Sequence, residues 1–159
     1  MKVKLDDVDH KILDLLIDNS RIPFTDIAKK LLISAGTVHV RVKKMEEFGI
    51  IKGASLALDY KKLGYTFIAY IGIFLEKTHL TNYVLEKLDS IPYATVAHIT
   101  TGRFNIFCKV RCKDTDHAKE IIFMIDDIEG VSRTETMISL EESINDKKRL
   151  MHKIFNEIK

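Results

Sequence analysis

The stretch SAGTVHVRVKKM, Ser34–Met45, decides how the first third of the chain is read. Its ends are those of a helix. Ser34 can act as N-cap, its hydroxyl accepting from a backbone N–H that would otherwise have no partner, and Gly49 suits the left-handed position that ends the helix after Phe48. At helical spacing Val38, Val42, Met45 and Gly49 fall on one side, and Gly36, Thr37, His39, Val40, Lys43 and Lys44 on the other. That second face has the chemistry of a major-groove reader. Lys43 and Lys44 can neutralise phosphates, Thr37 and His39 can hydrogen-bond base edges or backbone, and Val40 can meet a thymine methyl, while Gly36 lets the first turn approach closely. An ordinary amphipathic helix with a solvated basic face is the competing reading, and the preceding segment decides between them.

From Asp6 to Asn19 the apolar positions Val8, Ile12, Leu15 and Leu16 repeat at helical spacing, with Asp6 or Asp7 placed to cap the start. Pro23 and Thr25 open a second short helix with Ile27, Ala28 and Leu31 inward, and the Leu32, Ile33, Ser34 turn runs directly into the third. Three helices, the last two tightly joined, make a helix-turn-helix. Ile50 to Leu58 reads as extended, a wing and an arm leading out of residues 1–57. The candidate DNA-contacting residues are Ser34, Gly36, Thr37, His39, Val40, Arg41, Lys43, Lys44 and Lys52.

Residues 58–65, with Lys61, Lys62 and Gly64, read as a hinge, after which the rhythm changes. Thr66 to Leu75 is almost continuously apolar, a strand covered on both faces. Leu80 to Ile91 carries the helical stripe Leu80, Val84, Leu88 and Ile91, ended by Pro92. Thr95 to Thr100 and Phe104 to Cys112 are strands joined at Thr101, Gly102 and Arg103; in the second, Phe104, Ile106, Cys108, Val110 and Cys112 point one way and Asn105, Phe107, Lys109 and Arg111 the other. Asp114 or Thr115 caps a helix with Ala118, Ile121, Ile122 and Ile125 inward, and Val131 to Leu140 is the last strand. The order βαββαβ over residues 66–143 is ferredoxin-like, with one four-stranded sheet and both helices on a single face. Ile68, Tyr70, Phe74 and Phe107 would then form an apolar patch on the uncovered face, which predicts a homodimer through the sheet. Cys108 and Cys112, roughly 13 Å apart along one strand, are too far apart for a disulfide and read as reduced core residues.

Residues 144–159 read as a basic helical tail, with Leu150, Met151, Ile154, Phe155 and Ile158 on one side and Lys147, Lys148, Arg149 and Lys153 around it. Two readings stand: a terminal helix docked on its own or a neighbouring subunit, and an added phosphate-binding element. The chain of 159 residues is 46% hydrophobic, enough for real cores, and its formal net charge of +2 is unevenly spread. Lys and Arg against Asp and Glu count 10 to 8 in residues 1–57, 10 to 13 in 58–143 and 5 to 2 in 144–159, so both ends are basic and the middle is acidic. With no apolar run of membrane-spanning length and no signal-type start, a cytoplasmic location is expected.

The chain resembles the Lrp/AsnC, or feast/famine, transcriptional regulators from about Leu5 to Glu142. The marks are Asp9, Ile12 and Leu13; Asn19, Ser20 and Arg21; Ser34 to Met45; Gly49 and Ile50; Lys62, Leu63 and Gly64; and the Thr101 to Asn105 turn. The runs Gly36 to Val42 and Thr101 to Phe107 look especially like the AsnC branch. The resemblance implies an α+β protein, an N-terminal winged helix-turn-helix joined to a C-terminal ferredoxin-like βαββαβ domain that dimerises, often assembles to octamers, and binds a small amino acid between dimers. Carried over by position, the effector site comprises His98, Thr101, Gly102, Arg103 and Phe104 with Thr134, Glu135 and Thr136. Backbone N–H groups at a glycine turn and threonine hydroxyls can hold a carboxylate, and a glutamate can take an ammonium. Many relatives carry acidic residues where this chain has Arg103 and Asn105, so Arg103 is expected to grip the effector's carboxylate. Asparagine is the first candidate effector.

The function expected is therefore a sequence-specific regulator of amino-acid metabolism that binds double-stranded DNA. It would need no cofactor, metal or membrane. An architectural DNA-binding protein without effector is the alternative, and a subunit like siroheme decarboxylase is another. Against catalysis, His10, His39, His79, His98, His117 and His152 are scattered, with no nucleophile, base and orienting acid at suggestive places.

Overall fold

The computed structural model describes residues 4–146 and 148–157. Contacts divide the chain into two units, Met1–Ala57 with Ile144–Lys159, and Leu58–Ser143. The first unit holds α1 (Asp7–Asp18), α2 (Phe24–Leu31), α3 (Ala35–Glu47) and, from the far end of the chain, α6 (Lys148–Glu157).

Local signals mark one end of each of the first three helices. Asp6 caps α1 in a reciprocal box, its carboxylate accepting from the N–H groups of Val8 and Asp9 while Asp9 accepts from the Asp6 N–H. Leu32 ends α2 in the left-handed region at φ 56°. Gly49, at φ 69°, closes α3: its N–H reaches the Glu46 carbonyl and that of Ile50 the Met45 carbonyl, a Schellman arrangement. The inward stripe is as the spacing predicts, with Val38, Val42 and Met45 buried against Ile12, Leu13, Ile27 and Ala28. Burying one such aliphatic side chain contributes about 1.5–3 kcal/mol. Residues 51–59 form no strand, so the expected wing is an irregular arm here. A ladder needs a second extended segment, and among the described residues the first unit has none.

The second unit is a four-stranded antiparallel sheet, ordered β2-β3-β1-β4, from β1 (Phe67–Leu75), β2 (Ala94–Ile99), β3 (Ile106–Cys112) and β4 (Val131–Ile138), with α4 (Thr81–Asp89) and α5 (Thr115–Asp126) as its helices. Ala69, Ile71 and Ile73 of β1 join Ile106, Cys108, Val110 and Cys112 of β3 against Val84, Leu88, Ala118, Ile121 and Ile125. Both cysteines are free and buried, and burial pushes the Cys108 thiol up to about 11. Three boundaries differ from the sequence reading. The helix expected from Leu80 starts with a 3-10 turn, Thr78–Leu80, and stops at Asp89, because Pro92 disfavours helical backbone at Ile91. β3 begins at Ile106, and Phe104 lies on the opposite face from Ile106, its ring 5.8 Å from that of Phe107. The expected hinge is a hydrogen-bonded turn: Asp59 accepts from the Lys61 and Lys62 N–H groups, the Tyr65 N–H reaches the Tyr60 carbonyl, and Arg111 stacks over the Tyr60 ring at 4.6 Å.

In α6, Lys148, Met151 and Ile154 are partly covered, whereas Leu150, expected on the apolar side, is 66% exposed. Lys147, Ile158 and the side chain of Phe155 lie outside the described residues.

Candidate nucleic-acid interface and ligand site

The outward face of α3 is built from its cap upward. Ser34 Oγ accepts from the Thr37 N–H at 3.0 Å and lies 2.9 Å from Thr37 Oγ1, which fixes the threonine hydroxyl at the start of the helix. Ser34 is thereby occupied with the cap. Thr37, His39, Val40, Lys43 and Lys44 are exposed along the same side, as is Gly36, and Val40 is 65% exposed. Two of these side chains have neighbours. The His39 ring is 6.0 Å from that of Phe24 at the start of α2, and the Lys44 ammonium sits 5.7 Å over the Phe48 ring. Together they form a cationic and hydrogen-bonding strip one helix wide, with one apolar tip. Lys52 is exposed on the arm.

Arg41 departs from the expected set. Its Nη1 donates to Asp6 Oδ2 and to Asp9 Oδ1, both at 2.7 Å, so the guanidinium ties α3 to the beginning of α1. Sequence spacing leaves Arg41 at the border of the outward face, and two carboxylates more than thirty positions away claim it. Asp6 gains as well. The Asp9 backbone N–H, and then Arg41, hold its carboxyl below the ordinary carboxylate value, while hydrogen bonds to the Asp9 and then the Asp6 carboxylate hold Arg41 above its own.

In the second unit, the candidate ligand turn is pinned at both ends. The Thr100 N–H donates to the Asn105 carbonyl and the Thr100 hydroxyl to the Phe104 carbonyl. Asn105 stitches the turn to β1, its N–H donating to the Ile73 carbonyl and its Oδ1 accepting from the Leu75 N–H, both at 3.0 Å. Thr101, Gly102 and Arg103 are exposed beyond it. Arg103 Nη2 lies 2.6 Å from Glu135 Oε1 on β4, and Arg133 Nη1 lies 3.2 Å from the same oxygen. Both guanidinium groups stand over Phe74, Arg133 at 3.9 Å and Arg103 at 6.0 Å from its ring centroid, and Phe104 meets Phe74 edge-on at 5.2 Å.

The expected ligand residues therefore separate. Arg103, Phe104 and Glu135 come together. His98 pairs across from Phe107, whose ring lies 5.8 Å from that of Phe104. Thr134 and Thr136 do not join them: they pair across from Ile73 and Ile71, so strand alternation sends their side chains to the helix-covered side, opposite to Glu135. Arg133, absent from the expected set, and Phe74, expected in the dimer patch, complete the cluster, and the two-residue period shared by Arg133 and Glu135 is the signal that points to Arg133.

The rest of that face is aromatic. Tyr70 stacks on Phe107 at 5.7 Å, and the strand exit passes close by, the Ser139 N–H donating to the Ile68 carbonyl and Glu142 pairing with Lys109 at 2.8 Å. Ile68 is buried, and Tyr70, Phe74 and Phe107 are half-buried.

Residues 5–52 match the winged helix-turn-helix DNA-binding domain, and residues 68–148 match the Lrp/AsnC ligand binding domain. The regulatory protein AsnC of Escherichia coli strain K12 is 38% identical over 141 residues, covering 88% of this chain and 93% of its own. The structure of Escherichia coli AsnC matches with a TM-score of 0.87 at 36% identity, over 91% of this chain and 97% of that one. A Neisseria meningitidis transcriptional regulator in complex with L-methionine shares the fold, with a TM-score of 0.85 at 18% identity, over 91% and 95% of the two chains. With a DNA-binding helix-turn-helix, a ligand-binding sheet domain and relatives that are regulators rather than enzymes, the chain belongs to the Lrp/AsnC family of transcriptional regulators.

Proposed function

We propose that the protein reads operator DNA with the exposed side of α3 and changes its assembly when a small amino acid binds beside the Arg103 turn, acting in the cytoplasm on genes of amino-acid metabolism. The observation that carries the DNA reading is the strip Thr37, His39, Val40, Lys43 and Lys44, exposed on a helix whose other side is locked into the core. In this reading Lys43, Lys44 and Lys52 contact phosphates, Thr37, His39 and Val40 contact base edges, and Gly36 admits the backbone closely. The domain division is 1–57 for DNA and 66–143 for assembly and effector, with residues 58–65 between them.

On the ligand side, the zwitterion of an amino acid matches Arg103 and Arg133 with its carboxylate and Glu135 with its ammonium, while Thr101 and Gly102 offer backbone N–H groups. Entry of the ligand would exchange the Arg103–Glu135 ion pair for contacts to itself. The aromatic face bearing Tyr70, Phe74 and Phe107 supports pairing with a second copy, and dimers would assemble further, up to an octamer. Two reading heads on a two-fold axis favour an inverted repeat with half-sites about one helical turn apart.

The test is an anisotropy titration of DNA from upstream of the protein's own gene against a random duplex, at two salt concentrations, with a panel of amino acids beginning with asparagine. Preferential, salt-sensitive binding changed by one amino acid is expected, with a coupling of about 1–3 kcal/mol. Binding indifferent to every amino acid would reduce the protein to an architectural role, and sedimentation as a monomer at micromolar concentration would remove the dimer.

A further inference from the structure

Helix α6 belongs by contact to the DNA-binding unit, although 86 residues of the second unit, Leu58–Ser143, separate it from α3 in sequence. At its start the Asp146 carboxylate accepts from the Lys148 N–H at 2.9 Å. Lys148 then reaches the end of α1, with Nζ 2.8 Å from Asp18 Oδ1 and 3.4 Å from the Asp18 carbonyl oxygen. The last turn of α1 holds no basic residue of its own, so this ammonium supplies the positive charge that a helix C-terminus favours. With Lys148, Met151 and Ile154 turned inward at spacings of three, Arg149 and Lys153 are exposed one turn apart on another side.

Docking the tail there changes the charge of the unit that must meet DNA. By sequence, residues 1–57 count to net +2 and residues 144–159 to net +3, against −3 for residues 58–143. The place is also apt. From Asp18 the chain makes the tight turn in which the Arg21 N–H donates to Asn19 Oδ1, and enters α2 at Phe24, whose ring neighbours His39 on the outward face of α3. Arg21 and Arg149 are both exposed, and among the described residues neither forms an ion pair.

We propose that α6 is a second DNA-backbone contact of this protein, in which Arg149 engages a phosphate flanking the groove read by α3. The proposal rests on the DNA reading above. A guanidinium matches the geometry of a phosphate and remains charged at any working pH, and a backbone contact of this kind adds affinity without sequence preference.

The experiment measures binding of the full chain to a random duplex and to its operator by anisotropy, over a series of potassium chloride concentrations, for wild type, Arg149→Ala, Arg149→Glu and Arg149→Lys. Thermal melting of each variant is followed by far-UV circular dichroism. For Arg149→Ala the slope of log affinity against log salt becomes shallower by about 0.9 per lost contact, or about 1.8 for a two-headed dimer, with equal loss on both duplexes. Arg149→Lys keeps most of the slope, Arg149→Glu loses more than alanine, and all three melt with wild type. Unchanged slopes in Arg149→Ala and Arg149→Glu, with a wild type that binds in a salt-dependent way, overturn the proposal alone. A wild type that binds neither duplex overturns the DNA reading and this proposal together.

Discussion

Arg41 Nη1 stands 2.7 Å from Asp9 Oδ1, joining the middle of α3 to the first turn of α1. The Asp9 side chain is only 15% exposed, so removing the cation leaves a carboxylate largely shielded from water and short of its partner. Arg41→Ala is expected to destabilise the DNA-binding unit by about 1–3 kcal/mol, the range for leaving a buried acceptor without its partner. Arg41→Lys keeps the charge but presents a point ammonium in place of the fork, and recovers part of the loss. Hydrogen exchange of α1 and α3 amides in the full chain measures both. If Arg41→Ala left exchange unchanged and only flattened the salt dependence of DNA binding, Arg41 would be a phosphate contact after all.

Asp6 gives the same corner a pH dependence. Its carboxyl is held below the ordinary value first by the Asp9 N–H and then by Arg41, so the native state favours the ionised form. Such a group contributes stability that is fully present above the unfolded carboxylate pKa and is lost as pH falls through the lower, folded value. Protection of α1 amides is expected to hold from neutrality down to about pH 4 and to fall below it. Asp6→Asn lowers protection at neutral pH and makes the acid limb shallower. Parallel acid limbs in wild type and variant would show that another group is responsible.

Leu32 ends α2 at φ 56° with its side chain 93% exposed, a leucine in left-handed backbone with almost nothing buried to offset it. The left-handed conformation costs a residue with a Cβ roughly 1–2 kcal/mol, and glycine removes that cost while adding about 0.5–1 kcal/mol of unfolded-state entropy. Leu32→Gly is therefore expected to stabilise the unit by up to about 1 kcal/mol, and Leu32→Val, branched at Cβ, to destabilise it. Far-UV melting of the full chain checks both signs.

Periodicity carried the reading of the fold because burial in both units follows it: Val38, Val42 and Met45 on α3, and Ile106, Cys108, Val110 and Cys112 on β3, lie where spacing of helix and strand puts them. Caps were legible for the same local reason, since Asp6, Ser34 and Asp114 need only a backbone N–H two or three residues on. What stayed hidden depends on partners distant in sequence. Arg41 finds its carboxylates 32 and 35 positions away and Lys148 finds Asp18 at 130, and no local pattern encodes either. The Thr134, Glu135, Thr136 triplet failed differently. Consecutive strand residues face opposite ways, so the cluster around Arg103 takes Arg133 with Glu135 and leaves both threonines on the other face.

The buried thiols offer a check on the second core. Cys108 is fully buried with its thiol pushed up to about 11, and burial also raises Cys112, with Asp114 adding to it. At pH 7 and 8 both are expected to resist a thiol reagent in the native chain and to react fully in denaturant. Rapid labelling of one thiol without denaturant would mean that the sheet opens locally at β3.

Gly72 packs the sheet against Phe104, beside the Arg103 turn. It lies on the aromatic face of β1, opposite Phe107 on one side and Glu135 on the other, and a Cβ there would stand 2.4 Å from carbons of the Phe104 ring. Phe104 in turn stacks on Phe107 and meets Phe74, beside the two arginines that hold Glu135. Gly72→Ala must therefore displace a packed ring, and overpacking of this kind costs about 1–3 kcal/mol. Because the clash is with one side chain, Phe104→Leu in the same chain is expected to recover a measurable part of that loss. In a double-mutant cycle the pair then shows an interaction energy of about 0.5–3 kcal/mol. Denaturation followed by tyrosine fluorescence reports this unit alone, since Tyr60, Tyr65, Tyr70, Tyr83 and Tyr93 all lie within Leu58–Ser143. The same displacement moves Phe104 relative to Arg103, so Gly72→Ala also weakens the response to the amino-acid effector more than it weakens DNA binding without effector. Additive energies in the cycle, or an effector response unchanged by Gly72→Ala, would separate the glycine from the ligand turn.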